Sequence, residues 1–280
     1  MDSCALAHND SGDGPFVYVL PQVEASLDFA NLQGADTDFG DRTGLPSQAS
    51  HDATRGSPLD ISGQVISKFE IMGAEAVDWE DMTTDPSGRI YAGDFGDNLR
   101  RRDSLKIYRY DPRHAALEII SYSYPGGRRH DCEAMVFQSG SLHLFTKAKA
   151  GRRGGYWTYH YRLPAREGFY TADLVDSLYL PRRVVTAADV DSLSGQLILT
   201  AYNYKRILGF FPAAASSILT FSDYPDGQFF RGNLERRNLS WAIPNQVEGV
   251  AFYSDRYFYV AREKTGPWQS RIRRKKRRRR

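Results

Sequence analysis

The stretch DWEDMTTDPSGRIYAGDFGDN, Asp78 to Asn98, sets seven carboxylate and amide side chains around two short apolar runs. The runs flank Asp-Pro-Ser-Gly, which reads as a turn between two strands of a hairpin. The acids stand where the first strand begins and the second ends. Whether that placement means anything depends on whether it recurs.

It recurs three times. DCEAMVFQSGSLHLFTK from Asp131, TAADVDSLSGQLILTAY from Thr186 and QVEGVAFYSDRYFYVAR from Gln246 repeat the order of polar entry, apolar strand, polar turn and second strand. Glu80, Glu133, Asp189 and Glu248 align as entry acids, spaced by 53, 56 and 59 residues, a length that suits one four-stranded sheet per copy. Alternating runs such as SLKIYRYD and LEIISYSYP, or YWTYHYRLP and DSLYLP, supply the outer strands. LAHNDSGDGPFVYVL matches a second strand, a Gly-Asp turn and a third strand, so the chain is expected to start inside a blade. Radial repetition of such sheets is a β-propeller. The expected fold is all-β, with five blades, six being the alternative, and the first lacking its inner strand.

Composition agrees with many short strands: 13% of the 280 residues are aromatic, with 24 Gly and 13 Pro. A single domain is expected over residues 1–270, interrupted by a polar surface loop over 24–60. Residues 271–280 hold nine of the basic side chains, and removing them turns the net +3 of the chain into −6 for residues 1–270. This run is expected to be a disordered tail. The acidic body opposes nucleic-acid binding. Cys4 and Cys132 make no disulfide framework or zinc spacing and are read as buried thiols. No apolar run reaches the ~18 residues of a membrane span, and MDSCALAHND has no signal-peptide pattern. A monomer is expected.

In an antiparallel hairpin the start of the first strand and the end of the second lie at one end of the sheet. With the first strand innermost, both positions ring one mouth of the central channel. The pairs are Glu80 with Asp94, Glu133 with Lys147, Asp189 with Tyr202, and Glu248 with Arg262 or Glu263, while Asn9 and Asp10 come from the first blade. Carboxylates crowded there raise one another's pKa unless a cation, a basic side chain or a hydroxyl-rich ligand lies between them. Glu80, Asp94, Asp189 and Glu248 are thus candidate ligands of a hard divalent ion such as Ca2+. Glu133, kept ionised by Lys147, is the candidate general base. Asn9, Asp10, Tyr202, Arg262 and Glu263 are candidate substrate contacts. The alternative role for the entry acids is structural, accepting backbone N–H bonds between neighbouring blades. Asp97 and Asn98 suit a turn, and His130 with Arg128 and Arg129 suits a solvated rim loop. Trp79 suits a wedge between blades. No GxSxG, HExxH, Walker or CxxC signature occurs.

The segments HNDSGDGP, DWEDM, GDFGDN, LKIYRY, YPGGRRHDCEAM, LHLFTK, TAADVD and NQVEGVAF together resemble a family of largely uncharacterised, exported bacterial β-propeller proteins. That family is more distantly similar to phytase-like, esterase-like and gluconolactonase-like propellers. The resemblance implies a secreted or periplasmic protein. It also implies a divalent ion that directs water at an ester or phosphoester, with Glu80, Asp94, Glu133, Asp189 and Glu248 as candidates to hold it. A non-catalytic scaffold gripping a protein or polymer is the competing function. Family members are expected to carry a signal peptide and an inner strand before AHNDSGD, and a fragment or a faulty gene model would explain the difference.

Overall fold

A computed structural model describes residues 6–9, 16–19, 55–59, 69–75, 77–150, 155–207, 211–239, 247–253, 256–262 and 271–277. The described residues form strands, turns and two short 3-10 segments, Pro125–Gly127 and Phe229–Arg231. No helix among them is long and apolar enough to cross a membrane.

The motif hairpins head four successive sheets. The first contains β5 (Trp79–Thr84), β6 (Ile90–Asp94), β7 (Leu105–Asp111) and β8 (Ala116–Ser123). Next come β9 (Cys132–Gln138), β10 (Ser141–Thr146), β11 (Ala148–Ala150) and β12 (Gly155–Pro164); β13 (Gly168–Thr171) leaves to run parallel to β8, and β14 (Asp173–Pro181) returns to pair with β12. The third sheet is β15 (Val184–Val190), β16 (Leu197–Ile207), β17 (Phe211–Ser222) and β18 (Asn233–Asn238), and the fourth is β19 (Val247–Phe252), β20 (Tyr257–Arg262) and β21 (Arg271–Lys276). β5, β9, β15 and β19 lie side by side in that order. This makes an all-β propeller with those strands innermost.

Four blades carry the motif, not the five or six expected. Ahead of them lies a sheet of β1 (Leu6–Asn9), β2 (Phe16–Val19), β3 (Arg55–Leu59) and β4 (Phe69–Glu70), with strands of only two to five residues. Its β1 sits next to both β5 and β19. Leu6–Asn9 therefore holds an inner place rather than the second-strand place its sequence suggests. The 24–60 segment is not wholly loop, because it contains β3.

The core lies between blades. Tyr91, Ile107 and Tyr122 of one sheet meet Met135, Leu144 and Tyr161 of the next. Ala134, Val136 and Phe145 then meet Val185, Leu199 and Phe221, and Ala187, Ile198 and Ile218 meet Val247, Val250 and Phe258. Two-residue alternation aims one row of each strand at one neighbouring sheet and the next row at the other. Cys132 is buried as expected, while Cys4 lies outside the described residues.

The basic run is a second correction. Residues 271–276 pair with β20 throughout, Ile272 is buried, and Arg274 and Arg277 lie over the rings of Tyr257 and Phe252. Backbone pairing is indifferent to side-chain charge, and arginine stems cover apolar surface while their heads stay wet.

Candidate functional site

The inner strand of each motif blade carries, near its start, one extra residue that shifts the ladder register. Between Trp79 and Asp81 it is Glu80, between Cys132 and Ala134 it is Glu133, between Val185 and Ala187 it is Thr186, and between Val247 and Gly249 it is Glu248. Such bulges re-aim a side chain. They make Glu80, Glu133, Thr186 and Glu248 equivalent, so Asp189 does not belong to the set. Aligning on acid placed it there; the bulge places Thr186, giving spacings of 53, 53 and 62. Thr186 Oγ1 donates to the Val247 carbonyl at 2.6 Å.

Glu80 and Glu133 do meet. Their carboxylates and that of Asp131 each offer an oxygen within 4.8 Å of the others, and all three residues are buried. Lys147 Nζ bonds to Glu133 Oε1 and lies 3.6 Å from Asp131 Oδ2. Asp78 joins them through Gly96: a Cβ there would fall 2.5 Å from both Asp78 Oδ2 and Glu80 Oε1, so only glycine lets the two carboxylates lie against that backbone. The GDFGDN segment laces the group together, with Gly96 N donating to the Asp78 carbonyl and Asp97 N to Asp131 Oδ1 at 2.9 Å.

Asp131 and Asp78 were missed as site residues. The signal was present: both glutamates are the third residue of an Asp-x-Glu triplet, DWE and DCE. Asp94 stands behind the group. Its Oδ1 accepts from Asp78 N and Arg102 Nη1, and its buried Oδ2 has no partner among the described residues. Asp97 caps a turn as expected, accepting from Arg101 N and Arg102 N. Trp79 is buried against Tyr108 and donates to the Glu75 carbonyl.

Burial, then the charges of Glu133, Asp78 and Asp131, pushes the Glu80 carboxyl well above the ordinary range. Burial pushes Glu133 up to about 8 against the pull of Lys147, so Lys147 does not keep it ionised at lower pH as the sequence suggested. Burial alone would lower Lys147, but Glu133 and Asp131 outweigh it and hold the ammonium above its usual range.

The remaining expected residues go elsewhere. Asp189 lies three residues beyond the bulge, where its carboxylate accepts from Val190 N and from Phe252 N of the next blade. It lines a cavity of about 370 Å³ at the hairpin-turn end of the inner strands, away from Glu80 and Glu133. Asp189 is thus the inter-blade latch of the structural alternative. Asp81 is another, bridging Met82 N and Met135 N at 2.9 and 2.8 Å. Glu248 is half-buried and outside the three-carboxylate group. Tyr202 is buried and bears on Lys147. Arg262 pairs with Val247 through its backbone, and Asn9 ends β1; the side chains of both lie outside the described residues, as do Asp10 and Glu263 altogether. His130 is buried rather than part of a solvated loop, with Nε2 3.1 Å from the Tyr161 hydroxyl.

Oxygens within 4.8 Å of one another can share one Ca2+, whose oxygen ligands stand ~2.3–2.6 Å away. The same site can hold hydroxyl groups, with carboxylates accepting and Lys147 donating.

No protein-family model matches the chain, and no curated protein sequence matches it. Among the solved structures similar in fold are the following two. One is the extracellular domain of a B. thetaiotaomicron protein described as a one component system, at 9% identity and TM-score 0.38 over 95% of this chain. This chain spans only 27% of that one. The other is a Cellvibrio cellulosa alpha-L-arabinanase complexed with arabinohexaose, at 11% identity and TM-score 0.37 over 83% of this chain and 76% of that one. At these scores the likeness bears on neither activity nor ligand.

Proposed function

We propose that this propeller binds a divalent cation, Ca2+ by the hardness of its ligands, at Glu80 and Asp131 beside Glu133, and through it an oxygen-rich ligand at that mouth of the channel. The observation that carries the reading is Glu80. It is a carboxylate 8% exposed that accepts no hydrogen bond among the described residues and faces two other buried carboxylates, with Lys147 as the nearby cation. A buried charge in that position calls for a proton or a metal. Asp78, across Gly96, adds to the negative field.

The finer reading is a metal-dependent ester or phosphoester hydrolase. A bound cation would supply Lewis acidity there. Glu133 takes the proton from water, since a group near pKa 8 is a competent base close to neutral pH. Lys147 holds Glu133 in place and meets developing negative charge. Export to the periplasm or exterior rests on the family resemblance. Calorimetric titration with Ca2+ tests the core of it: wild type gives binding heat, and the Glu80→Gln/Glu133→Gln double variant gives none. Equal heats, or no heat in either, refute the metal site and leave the non-catalytic scaffold.

A further inference from the structure

The geometry points to a carbohydrate-stacking platform of Tyr159, Trp157 and Tyr179 beside the acidic mouth, which names a neutral polysaccharide as the oxygen-rich ligand. The substrate class rests on the proposed reading of the mouth; the platform stands on its own observations.

β12 is longer than its partner β10. Past the Phe145–His160 pair it runs beyond the mouth, where Trp157 pairs with Ala148, the residue after Lys147, on one side and with Tyr179 on the other. One peptide step of ~3.8 Å and one strand spacing of ~4.8 Å put the Trp157 backbone within roughly 9 Å of that of Lys147. Alternate residues of a strand share a face, so Tyr161, Tyr159 and Trp157 form a row, and Tyr179 stands on that face opposite Trp157. The row climbs out of the core: Tyr161 is fully buried, Tyr159 half-buried, Trp157 37% exposed and Tyr179 47% exposed.

The rings are ordered against one another. Trp157 and Tyr159 lie 14° from parallel with centroids 6.5 Å apart, and Trp157 and Tyr179 are 5.3 Å apart. His130, the residue before Asp131, packs 5.2 Å from Tyr159 and links the row to the carboxylates. Among the described residues the Trp157 indole N–H and the hydroxyls of Tyr159 and Tyr179 have no hydrogen-bond partner.

Aromatic rings on a rigid strand, half out of water with free polar tips, offer what a sugar ring needs: a flat apolar face for its C–H side and hydrogen-bonding groups at the edge. The adjacent carboxyl groups and the Lys147 ammonium offer acceptors and donors to hydroxyl groups, the repeating polar feature of a neutral polysaccharide.

Electrophoresis of the full chain in native gels cast with soluble β-glucan, xyloglucan or galactomannan, and with polygalacturonate for comparison, tests this. Wild type is retarded by at least one neutral polymer. Trp157→Ala and Tyr179→Ala each weaken retardation about tenfold, the worth of one stacking contact, while Trp157→Phe keeps most of it. Glu80→Gln/Glu133→Gln in EDTA retains retardation through the platform, so a failed metal site shows in calorimetry and a failed platform in the gels. Circular-dichroism melts confirm that each variant folds. Unretarded wild type in every neutral gel, retardation by polygalacturonate alone, or an undiminished Trp157→Ala overturns the platform. A change in oligomeric state on Trp157→Ala overturns it in favour of a protein contact.

Discussion

Replacing Glu133 with glutamine keeps the shape of a buried side chain and deletes its charge. Burial moves the Glu133 carboxyl from 4.5 in free glutamate to about 8. The unfolded chain therefore releases this proton near pH 4.5, whereas the folded chain keeps it until about pH 8. Between those values the folded state binds more protons, so wild-type stability falls as pH rises. Each tenfold change in proton affinity is worth ~1.4 kcal/mol, so the full penalty above pH 8 is on the order of 3–5 kcal/mol. The glutamine variant carries no such penalty, and Asp131, 3.6 Å from Lys147, remains as a counter-ion. The Glu133→Gln protein should match wild type near pH 4.5 and melt higher as pH increases. At ~2 °C per kcal/mol for a chain of this size, the gap reaches roughly 6–10 °C at about pH 9. Thermal melts followed by circular dichroism in EDTA, from about pH 4.5 to about pH 9, measure it. A melting difference that does not vary with pH would refute the reasoning, because it would mean that the carboxyl titrates alike in both states.

Two further substitutions separate site from scaffold. Asp81→Ala leaves the buried Met135 amide without its acceptor and should lower stability by about 2–4 kcal/mol in urea denaturation, without altering Ca2+ heat; a loss under about 0.5 kcal/mol would show that the latch is dispensable. Gly96→Ala pushes apart the Asp78 and Glu80 carboxylates and should weaken Ca2+ binding about tenfold at small cost in stability, since the atoms displaced are side-chain tips. Unchanged Ca2+ affinity would mean that their closeness does not matter.

Some of this was legible in the residues. Alternation in SLKIYRYD and LEIISYSYP marks β7 and β8 because one row faces each neighbouring sheet. The 14-residue interval from Glu133 to Lys147 brings these two together because a hairpin returns its exit to its entry. Asp-x-Glu at 78–80 and 131–133 carried the missing carboxylates.

What the chain order could not decide was register and environment. A bulge admits one extra residue without a mark in composition, and its position makes Thr186 the counterpart of Glu80 and Glu133 and leaves Asp189, three residues on, as a latch. An arginine-rich run reads as disorder, yet β20 offers backbone partners to any side chain and rings for guanidinium stems to cover. The sequence by itself determined strands, turns and their repetition, since these follow from local alternation and turn chemistry. Only the tertiary structure decided that Glu80, Asp131 and Glu133 share one buried cluster, because desolvation and charge repulsion arise between residues that meet only once the blades have packed.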